Sequence, residues 1–329
     1  MLSAYLDQNH WIELLKAEQK HPSGVALGPI LEELRARRGV SAFFPVSSAH
    51  IVEMHKIANS SKRSSLGRLM FELSQGRTLL SHQALLPMEF DCALQSAFGI
   101  PRNCRSAPIF GFGLSHAFGF PPPQLYQPPA GVDLPEAVLE GIELARRLMI
   151  ERAMFVDPRD SGDAAQFVAE ARAGHSERAG AWVEAVEEER RLLETLGYDR
   201  GPRLELALAG RILAEMPGLF EAMDLAGIGP NQTESLGREG WLALLKSMPS
   251  SLVTLEMRRF IQSQSDRKWH PNDLPDLAAL TIAIPYCDIV VTEKQWAHMA
   301  HSRGIAERFG TTVLSDLQEL PAALDACSK

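Results

Sequence analysis

The chain is short of cysteine, has no long apolar run and carries no excess of positive charge, and each lack excludes something. Four cysteines in 329 residues (Cys92, Cys104, Cys287 and Cys327) are scattered without a Cys-x-x-Cys pair. That spacing writes neither a disulfide framework nor a zinc ribbon. No segment approaches the roughly 20 apolar residues that span a bilayer. The opening, Met1-Leu2-Ser3-Ala4-Tyr5-Leu6-Asp7, lacks the basic region and long apolar core of a secretory leader. The expectation is a soluble cytoplasmic protein with no membrane partner. Lys+Arg 33 against Asp+Glu 41 gives a net charge of −8. This balance excludes a generally basic nucleic-acid coat protein but leaves room for a local basic groove on an acidic body. What is present is core-forming material: 45% hydrophobic against 22% charged residues, which excludes wholesale disorder. At about 150 residues per domain the length suits one large domain or two ordinary ones.

The two ends of the chain share a grammar that the middle lacks. Ser3-Ala4-Tyr5-Leu6 is a short apolar run ending in Asp7, and Trp11 to Lys16 then has helical spacing. A second helix is predicted over Gly28–Arg38. Ala42-Phe43-Phe44-Pro45-Val46 reads as a strand, and Ser47-Ser48 as the N-cap of a helix through Ile57. Near the other end, Asn272 to Asp276 opens a helix, Asp288-Ile289-Val290-Val291 is an apolar strand of the buried parallel type, and Thr311 to Leu314 is a last strand. Thr292 and Gln295 are spaced as a capping box for the helix between those strands. Strand alternating with helix is the rhythm of a parallel α/β sheet. Residues 81–267 read as a mainly helical insertion, with helices over Glu136–Phe155, Ala164–Leu196 and Arg203–Met216. A Pro/Gly/aromatic stretch over 101–135 reads as a long loop within it. The expected organisation is residues 1–80 and 268–329 as two parts of one α/β domain, with the insertion between them.

Four carboxylates stand out by position: Asp7 ends the first strand, Glu53 lies in the helix after the second, Asp276 opens its helix, and Glu293 follows a buried strand. Singly, Asp7 reads as an N-cap, and Asp276 and Glu293 as favourable acids at helix N-termini. Glu53 flanks an apolar stripe and has no such account. Together they converge, because the carboxyl ends of parallel strands share the edge where such sheets bind ligands. Carboxylates gathered there repel one another unless a cation neutralises them. Hard oxygen ligands suit Mg²⁺ or Mn²⁺, which lower the pKa of bound water and support phosphodiester hydrolysis.

At this point the residues resemble the PIN-domain-like nucleases. Tyr5-Leu6-Asp7-Gln8-Asn9 looks like that family's strand and D-x-N opening. Ser47 to Met54 is similar to its serine-capped helix carrying a Glu. Asp276-Leu277-Ala278-Ala279-Leu280 and Asp288-Ile289-Val290-Val291-Thr292-Glu293 resemble its later acids. The resemblance covers about residues 1–60 and 268–320, and departs from the family in having Glu293 where an Asp is usual and a large helical insertion between the halves. It implies a three-layer PIN-like α/β fold and a metal-dependent endoribonuclease, often of the toxin or RNA-processing kind. It further implies Asp7, Glu53, Asp276 and Glu293 as catalytic metal ligands. RNA is the implied substrate, and an antitoxin or assembly component the implied partner. The competing reading is a catalytically inactive relative that serves as an interaction protein in a larger assembly. Asp288 rivals Glu293 for the fourth position. Asn9 and Thr292 are candidates to orient ligands, and Asp273, three residues before Asp276, is either an auxiliary ligand or an N-cap.

His50 and His55 flank Glu53 as H-x-x-E-x-H, a spacing that turns the histidines apart and disfavours zinc, although His50 falls on the same face as Glu53. Gly111-Phe112-Gly113 lacks the strand and third glycine of a dinucleotide loop. Basic residues flank the acidic segments, with Lys56 and Arg63 on one side and Arg259 and Lys268 on the other. These are candidate contacts to a phosphate backbone.

Overall fold

The computed structural model describes residues 1–99, 107–120, 134–156, 162–216, 218–264 and 266–328. Its centre is a four-stranded parallel sheet in the order β2-β1-β5-β6, formed by β1 (Leu2–Leu6), β2 (Ala42–Phe43), β5 (Ile289–Val291) and β6 (Thr312–Leu314). The strands are short and almost wholly apolar, as buried parallel strands are. Leu2 pairs with Ala42 on one side of β1, and Leu6 with Val291 on the other. The two ends of the chain therefore meet in the middle of one sheet.

Alternation along the strands divides the core. Ala4 and Leu6 of β1, with Ile289 and Val291 of β5, face a cluster built with α1 (Gln8–Glu18), α2 (Gly28–Arg37) and α4 (Ser60–Ser74). Tyr5 and Val290 face the opposite side, packing with α13 (Asp273–Tyr286), α14 (Lys294–Ser302) and α12 (Pro249–Gln262). Burial on both faces explains why period-2 polarity is missing from these strands. The molecule is mostly helical, with α/β character in this sheet.

A two-stranded antiparallel ribbon, β3 (Arg77–Leu79) with β4 (Phe110–Phe112), joins the edge through Val46, which is bridged to Thr78. β4 runs directly into α6 (Gly113–Phe118), so residues 107–120 are ordered where a loop was expected throughout 101–135. Positions 101–106 and 121–133 of that stretch lie outside the described residues. Residues 81–267 contain α5 (His82–Phe98), α7 (Glu136–Val156), α8 (Gly162–Thr195), α9 (Gly201–Glu215), α10 (Leu219–Leu225) and α11 (Pro230–Ser247). They have their own core around Phe90, Leu208, Leu245 and Met248. The insertion is nonetheless joined to the sheet domain, because α12 packs along α13 and shares its core. Helices α15 (Ile305–Phe309) and α16 (Leu320–Cys327) complete the chain.

Cys92 is disulfide-bonded, which the scattered spacing did not suggest, and Cys287 and Cys327 are free thiols. Among the described residues no helix is long and apolar enough to cross a membrane.

Candidate active site at the sheet switch point

From β1 the chain crosses to β2 on one side, and from β5 to β6 on the other. The gap between the carboxyl ends of β1 and β5 is thus a topological switch point, where open α/β sheets hold their ligands. Asp7 leaves β1 there and starts α1. Its Oδ1 accepts the Gln8 backbone N–H at 2.7 Å and its Oδ2 accepts the Thr292 hydroxyl at 3.2 Å. Asp7 is the N-cap of α1, but only one of its oxygens does that work; the other is held from the next strand.

Glu293 leaves β5 beside it. The expected Thr292–Gln295 capping box is not formed, because Glu293 is the N-cap residue of α14 and caps without a side-chain bond. Its Oε1 instead accepts from Asn9 Nδ2 at 2.6 Å, and Oε2 from Gln295 Nε2 at 3.2 Å. Asn9 and Thr292 therefore each tie the opening of one helix to the acid of the other.

Glu53 reaches the same place from α3 (Ser48–Lys56). Ser47 caps this helix, and His50 completes the box by accepting the Ser47 N–H on Nδ1 at 3.0 Å. His50 Nε2 then donates to the Leu6 carbonyl at 2.8 Å, fastening the helix start to the end of β1. Burial drives the His50 pKa down to about 3, so the ring is neutral, and it stacks on Tyr5 at 5.0 Å between centroids. His50 is buried and fastens the start of the Glu53 helix to the strand that ends at Asp7. Among the described residues none donates a hydrogen bond to the Glu53 carboxylate.

Asp276 approaches in the first turn of α13, its Oδ2 accepting from the Trp296 indole N–H at 3.0 Å. The Arg267 guanidinium lies over that indole, 5.3 Å from the ring centroid.

The electrostatics show that these groups share one field. Burial, then the Asp7 charge, then those of Glu53 and Glu293 push Asp276 up to about 8, against a stabilising bond from Trp296. Burial, Asp7 and Glu293 push Glu53 up to about 7, with Lys56 pulling the other way. Asp7 is raised chiefly by burial, and its bonds to Gln8 and Thr292 together with the nearby His10 oppose the rise. Such mutual elevation arises when carboxylates crowd a dry site without enough positive charge. Lys56 and His10 oppose it only in part, since Glu53 and Asp276 stay raised.

Several other candidates are not at this edge. Asp288 sits at the opposite end of β5, where both the backbone N–H and the hydroxyl of Ser3 donate to its Oδ2, at 2.8 and 2.7 Å. Asp273 is occupied by an ion pair with Arg267 at 2.6 Å and a bond from the His270 N–H at 2.7 Å. Arg63 is buried and donates to the Ile57 carbonyl at 2.6 Å, closing the end of α3 rather than facing solvent. Arg259 is committed to Glu205 at 3.1 Å and Glu256 at 2.6 Å. Both arginines are removed from the candidate phosphate contacts, which leaves Lys56 and Lys268 exposed.

Gln295 was noted in the sequence only as a capping residue, whereas its amide bonds Glu293; His10, in the field of Asp7, and Trp296, which bonds Asp276, were not singled out. His10 lies three residues after Asp7 and is buried against the Thr292 carbonyl at 3.4 Å and Glu13 at 3.2 Å. A polar residue one helical turn past a strand-ending acid was the available signal for it. Trp296 offered none, since its helix reads as an ordinary apolar face.

The donor set fits a hard divalent cation in its chemistry: carboxylate oxygens, with Asp7, Glu53 and Asp276 raised in pKa by burial and then by neighbouring acids. Among the described residues no three His, Cys, Asp or Glu side chains are drawn together closely enough to hold an ion as they stand. Mg²⁺ keeps several waters and needs only one or two direct carboxylates, so an open acidic mouth suits it better than a closed cage. No family model matches the chain, and comparison with curated proteins and with solved structures finds no match either.

Proposed function

We propose that this protein is a metal-dependent endoribonuclease with a PIN-like, three-layer arrangement around its parallel sheet. In this reading Asp7, Glu53, Asp276 and Glu293 hold Mg²⁺ or Mn²⁺ and RNA is the substrate. The observation that carries the reading is the convergence of these acids on the β1/β5 switch point in a single repulsive field. A fold keeps such a field where a cation or a reacting phosphate uses it. A bound Mg²⁺ or Mn²⁺ would lower the pKa of its water and shield the charge of the phosphodiester.

The chain's own residues have separate tasks. Asp7 is held at both oxygens and presents a fixed carboxylate. Asp276 is oriented by Trp296, and Glu293 by Asn9 and Gln295. Glu53, with a pKa near neutrality and no hydrogen-bond donor fixing it among the described residues, is suited to accept a proton at its carboxylate from the attacking water. Lys56, one turn along the exposed side of α3, supplies positive charge to the RNA backbone beside it.

The test is incubation of the purified protein with a mixed RNA pool, with and without EDTA and with Mn²⁺ restored. Cleavage that EDTA stops and Mn²⁺ restores supports the proposal; intact RNA in every arm removes it. The spacing of the acids and the internal pairing of Arg259 favour one second reading. There the chain is a silent PIN-like interaction protein, bound to an antitoxin-like or assembly partner. The same assay separates the two.

A further inference from the structure

α9, α10 and α11 enclose a groove lined by none of the four acids. One part has a volume of about 920 Å³, walled by Leu206, Leu213 and Leu219, with Arg203 and Arg238 at its margin. A second part of about 320 Å³ continues past Phe220 and Trp241, which line both, and carries Asp224 and Glu234. Beside these hollows stand apolar side chains that a monomer gains nothing by exposing. Phe220 is 66% exposed, Leu225 79% and Leu196 54%.

The charges are kept apart by the backbone. Glu234 and Arg238 are four residues apart on α11, the spacing of an intrahelical ion pair. Gly237 lies between them at φ 56° and ψ −174°, a conformation open essentially to glycine alone, and kinks the helix. Arg238 is turned to the larger hollow and Glu234 to the smaller. Among the described residues no carboxylate pairs with Arg203 or Arg238, and no cation pairs with Asp224 or Glu234.

We infer that this face is a two-fold interface with a second copy of the chain. A two-fold interface places one surface against itself, so that surface must carry both knob and hollow, and both signs of charge. This one does. In the antiparallel arrangement the Arg203/Arg238 margin of one protomer meets the Asp224/Glu234 margin of its partner, and the exposed Phe220 and Leu225 enter the facing hollows. A different protein would have to supply that same complement; a second copy supplies it by construction. The inference gives the helical insertion a task, dimerisation, that is independent of the nuclease proposal.

The test is sedimentation velocity of the full chain, up to about 0.1 mM, where association weaker than a specific interface is separated from a true dimer. The parent protein sediments as a dimer. Arg203→Glu with Arg238→Glu, and separately Asp224→Arg with Glu234→Arg, each juxtapose like charges and weaken dimerisation at least about tenfold. All four positions are exposed, and unchanged circular dichroism confirms folding. Mixing the two double variants restores a dimer, because each then meets the opposite charge in its partner. A monomeric parent protein, double variants that dimerise undiminished, or a mixture that stays monomeric would each overturn the inference.

Discussion

Asp7, Glu53 and Asp276 are held near one another against their own charge, and this sets what substitution should do. Asn in place of Asp7 or Asp276 removes repulsion, so the metal-free variants should melt at or above the parent temperature. If the proposal holds, RNA cleavage should fall at least about a hundredfold in each, the scale of a lost group at the reacting centre. Melting curves and one RNA gel per variant decide it, and stable variants that cut as fast as the parent would end the assignment. Asp288→Asn should do the reverse. It weakens two bonds from Ser3 to a charged acceptor, costing about 1.5 kcal/mol of stability and leaving the activity of folded molecules intact. The pKa elevations also have a sign. Glu53, at about 7 against an ordinary 4.5, and Asp276, at about 8 against 3.8, bind protons more tightly folded than unfolded. Across that window the native state carries the additional protons, so the stability they contribute is present at low pH and lost as pH rises toward 8. The metal-free melting temperature should fall from pH 5 to pH 8, and Asp276→Asn should flatten that slope. An equal slope in parent and variant would show that Asp276 does not titrate in this way.

The elements that carry the acids were legible because each is specified by its own neighbours. An apolar run ending in Asp7, a serine before the helix of Glu53, and Ile289-Val290-Val291 before Thr292 all declare themselves over a few residues. What was not legible depends on partners distant in sequence. Arg63 and Arg259 read as free cations until Ile57, Glu205 and Glu256 are seen around them. Asp273 reads with Asp276 until its ion pair with Arg267 is seen. The β4–α6 unit was hidden in glycine-rich text because its support comes from α7: Glu151 Oε2 accepts the Leu114 N–H at 2.7 Å, at the first turn of α6. Gly113 makes that turn at φ +81°, with the Glu151 carboxylate lying where a Cβ would be. Gly113→Ala should therefore lose about 1–3 kcal/mol, from left-handed strain and displacement of the cap. Urea denaturation measures it, and Gly141→Ala is the control, since a Cβ there meets nothing within 4 Å. Equal effects at the two glycines would refute this account of the turn.

For the whole molecule the acidic balance matters, because under the proposal a body of net charge −8 must bring a polyanion to an edge that carries acids. Exposed Lys56 beside Glu53 gives local attraction, and its removal should weaken RNA binding several-fold and reduce the slope of log affinity against log salt by about one. A single lysine does not balance three or four carboxylates, and the remaining repulsion is what a divalent cation would remove. Binding to the native state alone stabilises it by mass action, about 2.7 kcal/mol when the free ion is a hundred times its Kd. Mn²⁺ or Mg²⁺ should accordingly raise the melting temperature, and more at pH 8 than at pH 5, because protons hold the carboxylates at the lower pH. Asp7→Asn and Asp276→Asn should each lose most of that rise, whereas Asp288→Asn, at the far end of β5, should keep it. Ca²⁺, bound by similar oxygens in a looser shell, separates occupation from chemistry: it should raise the melting temperature without restoring cleavage as Mn²⁺ does. A rise of the same size in the parent and in both Asp7 and Asp276 variants would place the ion elsewhere and leave the acids without their cation.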